Sequence, residues 1–390
     1  MEEEVKKKIE TAISQSGFPL EHYIGNVLRE HGWRIITNRY YIDDIKNIER
    51  EIDILAYKTH IDEKEKIQYY TSLIISCKKS DKYTWCFLTR KSDVTDCNVD
   101  WTPLHFCSSD ARMKYMTEKH RDILIEKYKK HNAIKNLYDF PESVFAYQQL
   151  AVADSAKQGR NKGDYYIDGN SDMYNSIITS IKALDTEKRS RIKSAKENKY
   201  KRYYMFHLVS VFDGKMIKDC FDDKGDQHIE SIKEIKYLNR HIVNKVDDFY
   251  IVNFTTKENF EFRLNLWDYF HKYNTHLLKN VISEFYKDIF CDKEKVDVLW
   301  NNFKERTLLR IEFSLCMLNA TSHTKNLDMT YSYNKDNNKL DIELSASHYL
   351  DNSIIDKLND DKYLTSSIQK DLLEIYRYDG EFCFSNGLPF

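Results

Sequence analysis

Glycine and proline are scarce: ten Gly and four Pro in 390 residues. That excludes long flexible or proline-rich linkers and favours continuous helices and strands. No apolar run reaches the roughly 18–20 residues of a membrane-spanning helix. The opening Met1-Glu2-Glu3-Glu4-Val5-Lys6-Lys7-Lys8 carries both signs of charge and lacks an apolar signal core. The protein is therefore expected to be cytoplasmic, with no membrane partner. The cysteines (Cys77, Cys86, Cys97, Cys107, Cys220, Cys291, Cys316 and Cys383) form no C-x-x-C pair, which argues against structural zinc and for buried, reduced thiols. Neither G-x-x-x-x-G-K-[ST] nor G-x-G-x-x-G occurs, against an ATP-driven motor or a dinucleotide enzyme. Net charge is only −2, so any basic surface must be local.

Apolar residues make up 41 % and aromatics 14 %, enough for real cores, and the length suits two or three domains. Periodicity predicts a helix over 19–31, with Pro19 in its first turn, Leu20, Ile24, Val27 and Leu28 on one face, and Gly32 as its left-handed stop. Strands are predicted over 33–42, 50–57 and 68–78. Short strands at 84–89 and 104–107 follow, then helices over 111–131 and 143–156 and a loop at 157–163. A long helix is expected over 171–198, with Met173, Ile177, Ile181 and Leu184 as its early stripe. A buried strand over 203–212 should turn at Asp213-Gly214 into a hairpin with 215–220. Beyond lie a strand at 249–254, helices over 257–289 and 293–318, a hairpin of 327–333 with 339–345, and a helix near 366–376. No composition break marks a boundary; one is placed near 220, giving domains 1–220 and 221–390 with an insertion at about 80–170.

The residues that suggest chemistry lie early: Glu21 on the first predicted helix, Asp53 on a strand reading Arg50-Glu51-Ile52-Asp53-Ile54, and Ser76-Cys77-Lys78-Lys79 ending the next. Hydrolysing a phosphodiester requires neutralised phosphate charge and an activated water, and carboxylate-bound divalent cations supply both. A lysine beside them can stabilise developing charge. Ser76 and Lys78, two apart on one strand, face the same side of the sheet. Asp53 shares that side if the two strands pair, and Glu21 can reach in from the helix. Singly, each has an ordinary structural alternative, such as a first-turn acid on the helix dipole for Glu21.

In this order the residues resemble the PD-(D/E)XK, or restriction endonuclease-like, nuclease superfamily, in its Mrr-like branch. The resemblance covers 18–80 and extends less clearly to 171–212. It implies an α/β (α+β) fold with an αβββαβ core, a large insertion and a mixed, helix-rich C-terminal domain. It makes Asp53 the metal-binding aspartate, Glu21 the helix glutamate and second metal ligand, and Lys78 the motif lysine. It implies Mg²⁺ or Mn²⁺ as cofactor, DNA as substrate, and a role in prokaryotic defence against foreign DNA. The middle motif position, normally acidic or Gln, is Ser76, leaving a weak or water-mediated ligand with Glu51 or Glu21 to compensate. The alternative is a catalytically degenerate subunit that binds nucleic acid or a partner protein. RNA stays open as a substrate, since nothing here reads a 2′-hydroxyl.

Lys79 and the basic run Lys188, Arg189, Arg191 and Lys193, continuing through Lys196 to Arg202 among tyrosines, are candidates for a phosphate backbone; a solvated helix end is the equal alternative. The Arg160 loop is a weaker candidate. His105 and His207 lack ligand spacing and read as core or surface histidines. In the last half, Phe260, Phe262, Trp267, Tyr269 and Phe270, then Trp300, Phe303 and Phe313, form aromatic-rich stripes. They suggest homo-oligomerisation or partner contact, or simply that domain's own core.

Overall fold

The computed structural model describes residues 3–43, 48–93, 95–97, 101–155, 160–169, 171–193, 199–222 and 224–387. The chain is α+β, and its contacts form two compact units, Met1–Asp110 with His120–Leu277, and Ala111–Lys119 with Leu278–Phe390. In chain order, α1 (Glu3–Ser14) and α2 (Phe18–Glu30) precede β1 (Arg34–Asp43), β2 (Ile48–Asp62), β3 (Ile67–Lys91) and β4 (Phe106–Ser108). Next come α3 (Ala111–Lys119), α4 (Arg121–Lys130), β5 (Glu142–Val152), β6 (Tyr165–Ile167), α5 (Ser171–Lys193) and β7 (Lys201–Phe221). Strands β8 (Gln227–Ser231), β9 (Glu234–Val243) and β10 (Val246–Thr256) lead into α6 (Lys257–Tyr286).

The first unit is built on one mixed sheet whose central path runs β1-β2-β3-β7-β10-β9. Strands β1, β2 and β3 form an antiparallel meander, while β7 lies parallel to β3 and β10 parallel to β7. Joining parallel β3 to β7 requires a long crossover, and α5 lies within it. Met173, Ile177, Ile181 and Leu184 of α5 pack with Leu55, Ile74, Phe206 and Leu208 in the core. Helix α2 buries Leu20, Ile24 and Leu28 and stops where Gly32 takes φ 75°. Asp268 of α6 accepts from Trp33 Nε1 at 2.8 Å and from Lys58 Nζ at 2.5 Å, tying the helix to β2.

The long β3 shares one of its edges between two partners. Strand β2 pairs with Ile67 to Ile75, and β5 pairs with Tyr83 to Lys91. Segment 143–156, expected as a helix, is therefore largely the strand β5. Its Val144, Phe145 and Tyr147 suit a strand, and the open β3 edge supplies the ladder that local sequence cannot foresee.

Three further expectations are corrected. Asp213-Gly214 makes no turn: β7 runs on alongside β3 as far as Phe221. Here β3 bulges, since Lys79 pairs with Asp213 but Thr84 with Lys215. A Cβ on Gly214 would stand 2.7 Å from the Ser80 carbonyl oxygen and 2.5 Å from the Phe212 ring, so glycine serves close approach, not a hairpin. The helix expected over 111–131 breaks at His120 into α3 and α4, which belong to different units. The unit boundary falls inside α6, between Leu277 and Leu278, and not near 220, because β8, β9 and β10 continue the first sheet.

In the second unit, α7 (Lys293–Met317), β11 (Asp328–Asn334), β12 (Lys339–Ser345), α8 (Asn352–Asp360), α9 (Lys362–Tyr376) and β13 (Glu381–Asn386) follow in order. They bury Phe303, Ile311, Leu340, Ile342 and Tyr376. The expected hairpin is present as β11 with β12, Tyr331 opposite Ile342, and β13 adds in parallel to β12. Of the aromatic stripes, Phe260, Trp267, Phe270 and Phe303 are buried, whereas Phe262, Tyr269 and Phe313 are exposed.

Candidate active site

The candidate residues meet in the stretch of the β3 edge that β2 has left and β5 has not yet reached. The β2–β3 ladder ends at Ile54 opposite Ile75, so Asp53 and Ser76 are the first residues beyond it. There the Cys77 backbone N–H donates to Asp53 Oδ2 at 2.6 Å. The carboxylate takes the place of a strand partner for this amide, which both satisfies the donor and fixes the side chain. Lys78 Nζ stands 3.8 Å from the same oxygen, an ion pair with both side chains partly exposed.

Glu21 enters from the first turn of α2. Its carboxyl is raised above the usual glutamate range, first by partial burial, then by the negative charges of Asp53 and Glu51, while Lys78 acts in the opposite direction. Asp53, Glu51 and Lys78 thus all act on Glu21. Glu51 is held by Asn38 Nδ2 at 2.5 Å, and Asn38 takes the left-handed φ of 52° opposite this stretch of β2. The Cys77 thiol is fully enclosed, and burial pushes it up, with Asp53 and Glu21 adding to the effect; it is no nucleophile.

Ser76 is 5 % exposed, so the motif position that lacks a carboxylate is also closed to solvent. Lys79 is committed elsewhere: its Nζ donates to the Ser14 carbonyl at 2.8 Å and stands 3.7 Å from Asp213, which Lys257 approaches to 3.3 Å. The basic run is largely paired within the chain. Arg189 meets Asp185 at 2.9 Å, and Arg191 meets Glu187 at 2.8 Å. Lys188 is half-buried, and burial lowers its ammonium. The Lys193 side chain and Lys196 lie outside the described residues, as do 157–159 of the Arg160 loop. Arg160 itself lies 4.2 Å from the centroid of the Tyr166 ring. His105 and His207 are buried.

Among the described residues, no group of three or more His, Cys, Asp or Glu side chains is placed to hold a metal ion. The two carboxylates the sequence singled out are Glu21 and Asp53; Glu21 is raised first by partial burial and only then by the Asp53 charge, and a cation beside the pair would favour its ionised form. The sequence signals neither the Cys77 amide, since backbone capture leaves no residue-type pattern, nor the role of Asn38: asparagine favours the left-handed region, but nothing local ties it to Glu51. Comparison with known protein families, curated proteins and solved structures finds no match to this chain. No described helix is long and apolar enough to cross a membrane.

Proposed function

We propose that the chain is a metal-dependent nuclease of the restriction endonuclease-like kind, hydrolysing DNA phosphodiester bonds. The observation that carries this reading is the meeting of Glu21, Asp53 and Lys78 at the unpaired stretch of the β3 edge. The order α2-β1-β2-β3-α5-β7, with β7 parallel to β3, agrees with the αβββαβ core that the resemblance implies. Glu21 and Asp53 would hold Mg²⁺ or Mn²⁺. Such an ion supplies phosphate charge neutralisation and a water acidic enough to be deprotonated near neutral pH. The Cys77 amide orients Asp53, and Lys78 presents an ammonium able to donate to a phosphate oxygen as its charge grows. A role in defence against foreign DNA rests on the resemblance alone.

The test is plasmid cleavage by purified protein with Mg²⁺ or Mn²⁺, run beside Asp53→Asn and Lys78→Ala. Cutting that both variants lose supports the assignment, and cutting that both retain sinks it. A single-stranded RNA run in parallel decides the substrate.

A second reading is favoured by Ser76: a non-catalytic subunit of the same fold, binding nucleic acid or a partner. Ser76→Glu separates the two. Metal-dependent cutting gained by a silent wild type identifies a decayed site. For the second unit we propose oligomerisation or partner contact, supported by exposed Leu309, Phe313 and Met317 at four-residue spacing on α7. Light scattering of a full-length monomer that copurifies with nothing would reject it.

A further inference from the structure

Beyond the end of α5 that carries Arg191, the same sheet face forms a second, separate feature. Strand alternation puts Arg34 of β1, Tyr57 of β2, Tyr70 of β3, and Arg202 and Tyr204 of β7 around one cavity of about 200 Å³, with Arg191 of α5 at its side. Among the described residues no Asp or Glu lines it. Tyr70 lies eight residues from Lys78 on β3, roughly 26 Å along an extended strand.

Arg191 and the Arg202 main chain are held in place. Glu187, buried on the flank, accepts from Arg191 Nε at 3.0 Å and is also paired with Arg39 at 2.8 Å. The Arg202 main chain is pinned, its N–H donating to Ser109 Oγ at 2.8 Å and its carbonyl accepting from the Ser109 N–H at 2.9 Å. Its side-chain Nε is buried and has no hydrogen-bond partner among the described residues. A buried guanidinium donor left unpaired is costly, and an anionic oxygen is its natural complement. The cavity also has an aromatic wall. Tyr70 and Tyr204 stack at 4.3 Å with 20° between planes, and Tyr57 lies 6.1 Å from Tyr70.

We infer that this cavity binds a single nucleotide unit bearing a terminal phosphate, the phosphate against Arg202 and Arg34 and the base against the half-buried Tyr57 and Tyr70. A cavity below the roughly 300–1,000 Å³ of drug-sized sites suits one nucleotide better than two. Guanidinium forks match phosphate oxygens, and aromatic faces accept any base.

Calorimetric titration with AMP tests this, with ribose 5-phosphate and a tetranucleotide with and without a 5′-phosphate as the other arms. AMP should bind saturably at or below about 1 mM, more tightly than ribose 5-phosphate. Preference for the 5′-phosphorylated tetranucleotide over AMP names a strand end as the source; preference for AMP names a free nucleotide. Arg202→Lys, which keeps charge but loses the fork, should weaken AMP binding at least about tenfold. Arg34→Gln, at an exposed position that folding tolerates, should also weaken it. Asp53→Asn should leave it unchanged. No saturable binding of AMP or the phosphorylated tetranucleotide, equal binding of ribose 5-phosphate, wild-type affinity in folded Arg202→Lys and Arg34→Gln, or loss in Asp53→Asn would each overturn the inference.

Discussion

The Cys77 amide donates to Asp53 Oδ2 at 2.6 Å, just past the last β2–β3 pair. A carboxylate held this way has one oxygen committed to the fold. It gives Asp53 a structural role beside the one proposed for it, which separates two substitutions that are often treated alike.

Asp53→Asn retains an acceptor for the Cys77 amide, whereas Asp53→Ala orphans it. Urea unfolding should show Asp53→Ala less stable than Asp53→Asn by about 1–3 kcal/mol, the usual cost of an unsatisfied buried donor. Metal-dependent cutting should be lost in both. Equal stability of the two variants would contradict the capture.

Glu21 carries a carboxyl raised above its ordinary value of 4.5. For a raised group, the favourable contribution is complete below the unfolded value and is lost as pH rises through the folded one. Glu21→Gln should therefore be more stable than wild type at pH 7, with the gain vanishing near pH 4, as denaturant titrations at the two pH values would show. Adding Mg²⁺ should stabilise wild type more than the variant. A variant less stable than wild type at pH 7 would refute the burial and repulsion that raise this carboxyl.

Gly214→Ala should destabilise the fold by about 1–3 kcal/mol or more, as overpacking does. The added Cβ meets the Ser80 carbonyl at 2.7 Å, and backbone cannot yield as a flexible side chain would. Thermal unfolding measures this; a wild-type midpoint would show that β7 follows another path here.

His271 is lowered to about 4 and His207 to about 3, both by burial foremost. Their contribution is complete above the ordinary 6.5 and is lost as pH falls toward those values. Stability should therefore decline from pH 6.5 toward pH 4. His271→Gln should flatten that slope in denaturant titrations; an unchanged slope would exclude His271 as a contributor.

Periodicity alone determined α2, α5, the meander strands and the β11–β12 hairpin, because a repeat of 3.6 or 2 reports directly which face of an element is buried. It also showed that Ser76 and Lys78 share a side. Only tertiary structure decided that 142–152 is a strand, since its partner is the distant second half of β3. Only tertiary structure made Asp213-Gly214 straight, since the reason for glycine is the approach of Ser80, more than a hundred residues away in sequence. The meeting of Asp53 with the Cys77 amide has the same origin. It depends on where one strand leaves an edge and the next arrives, and pairing between distant segments leaves no local pattern to read.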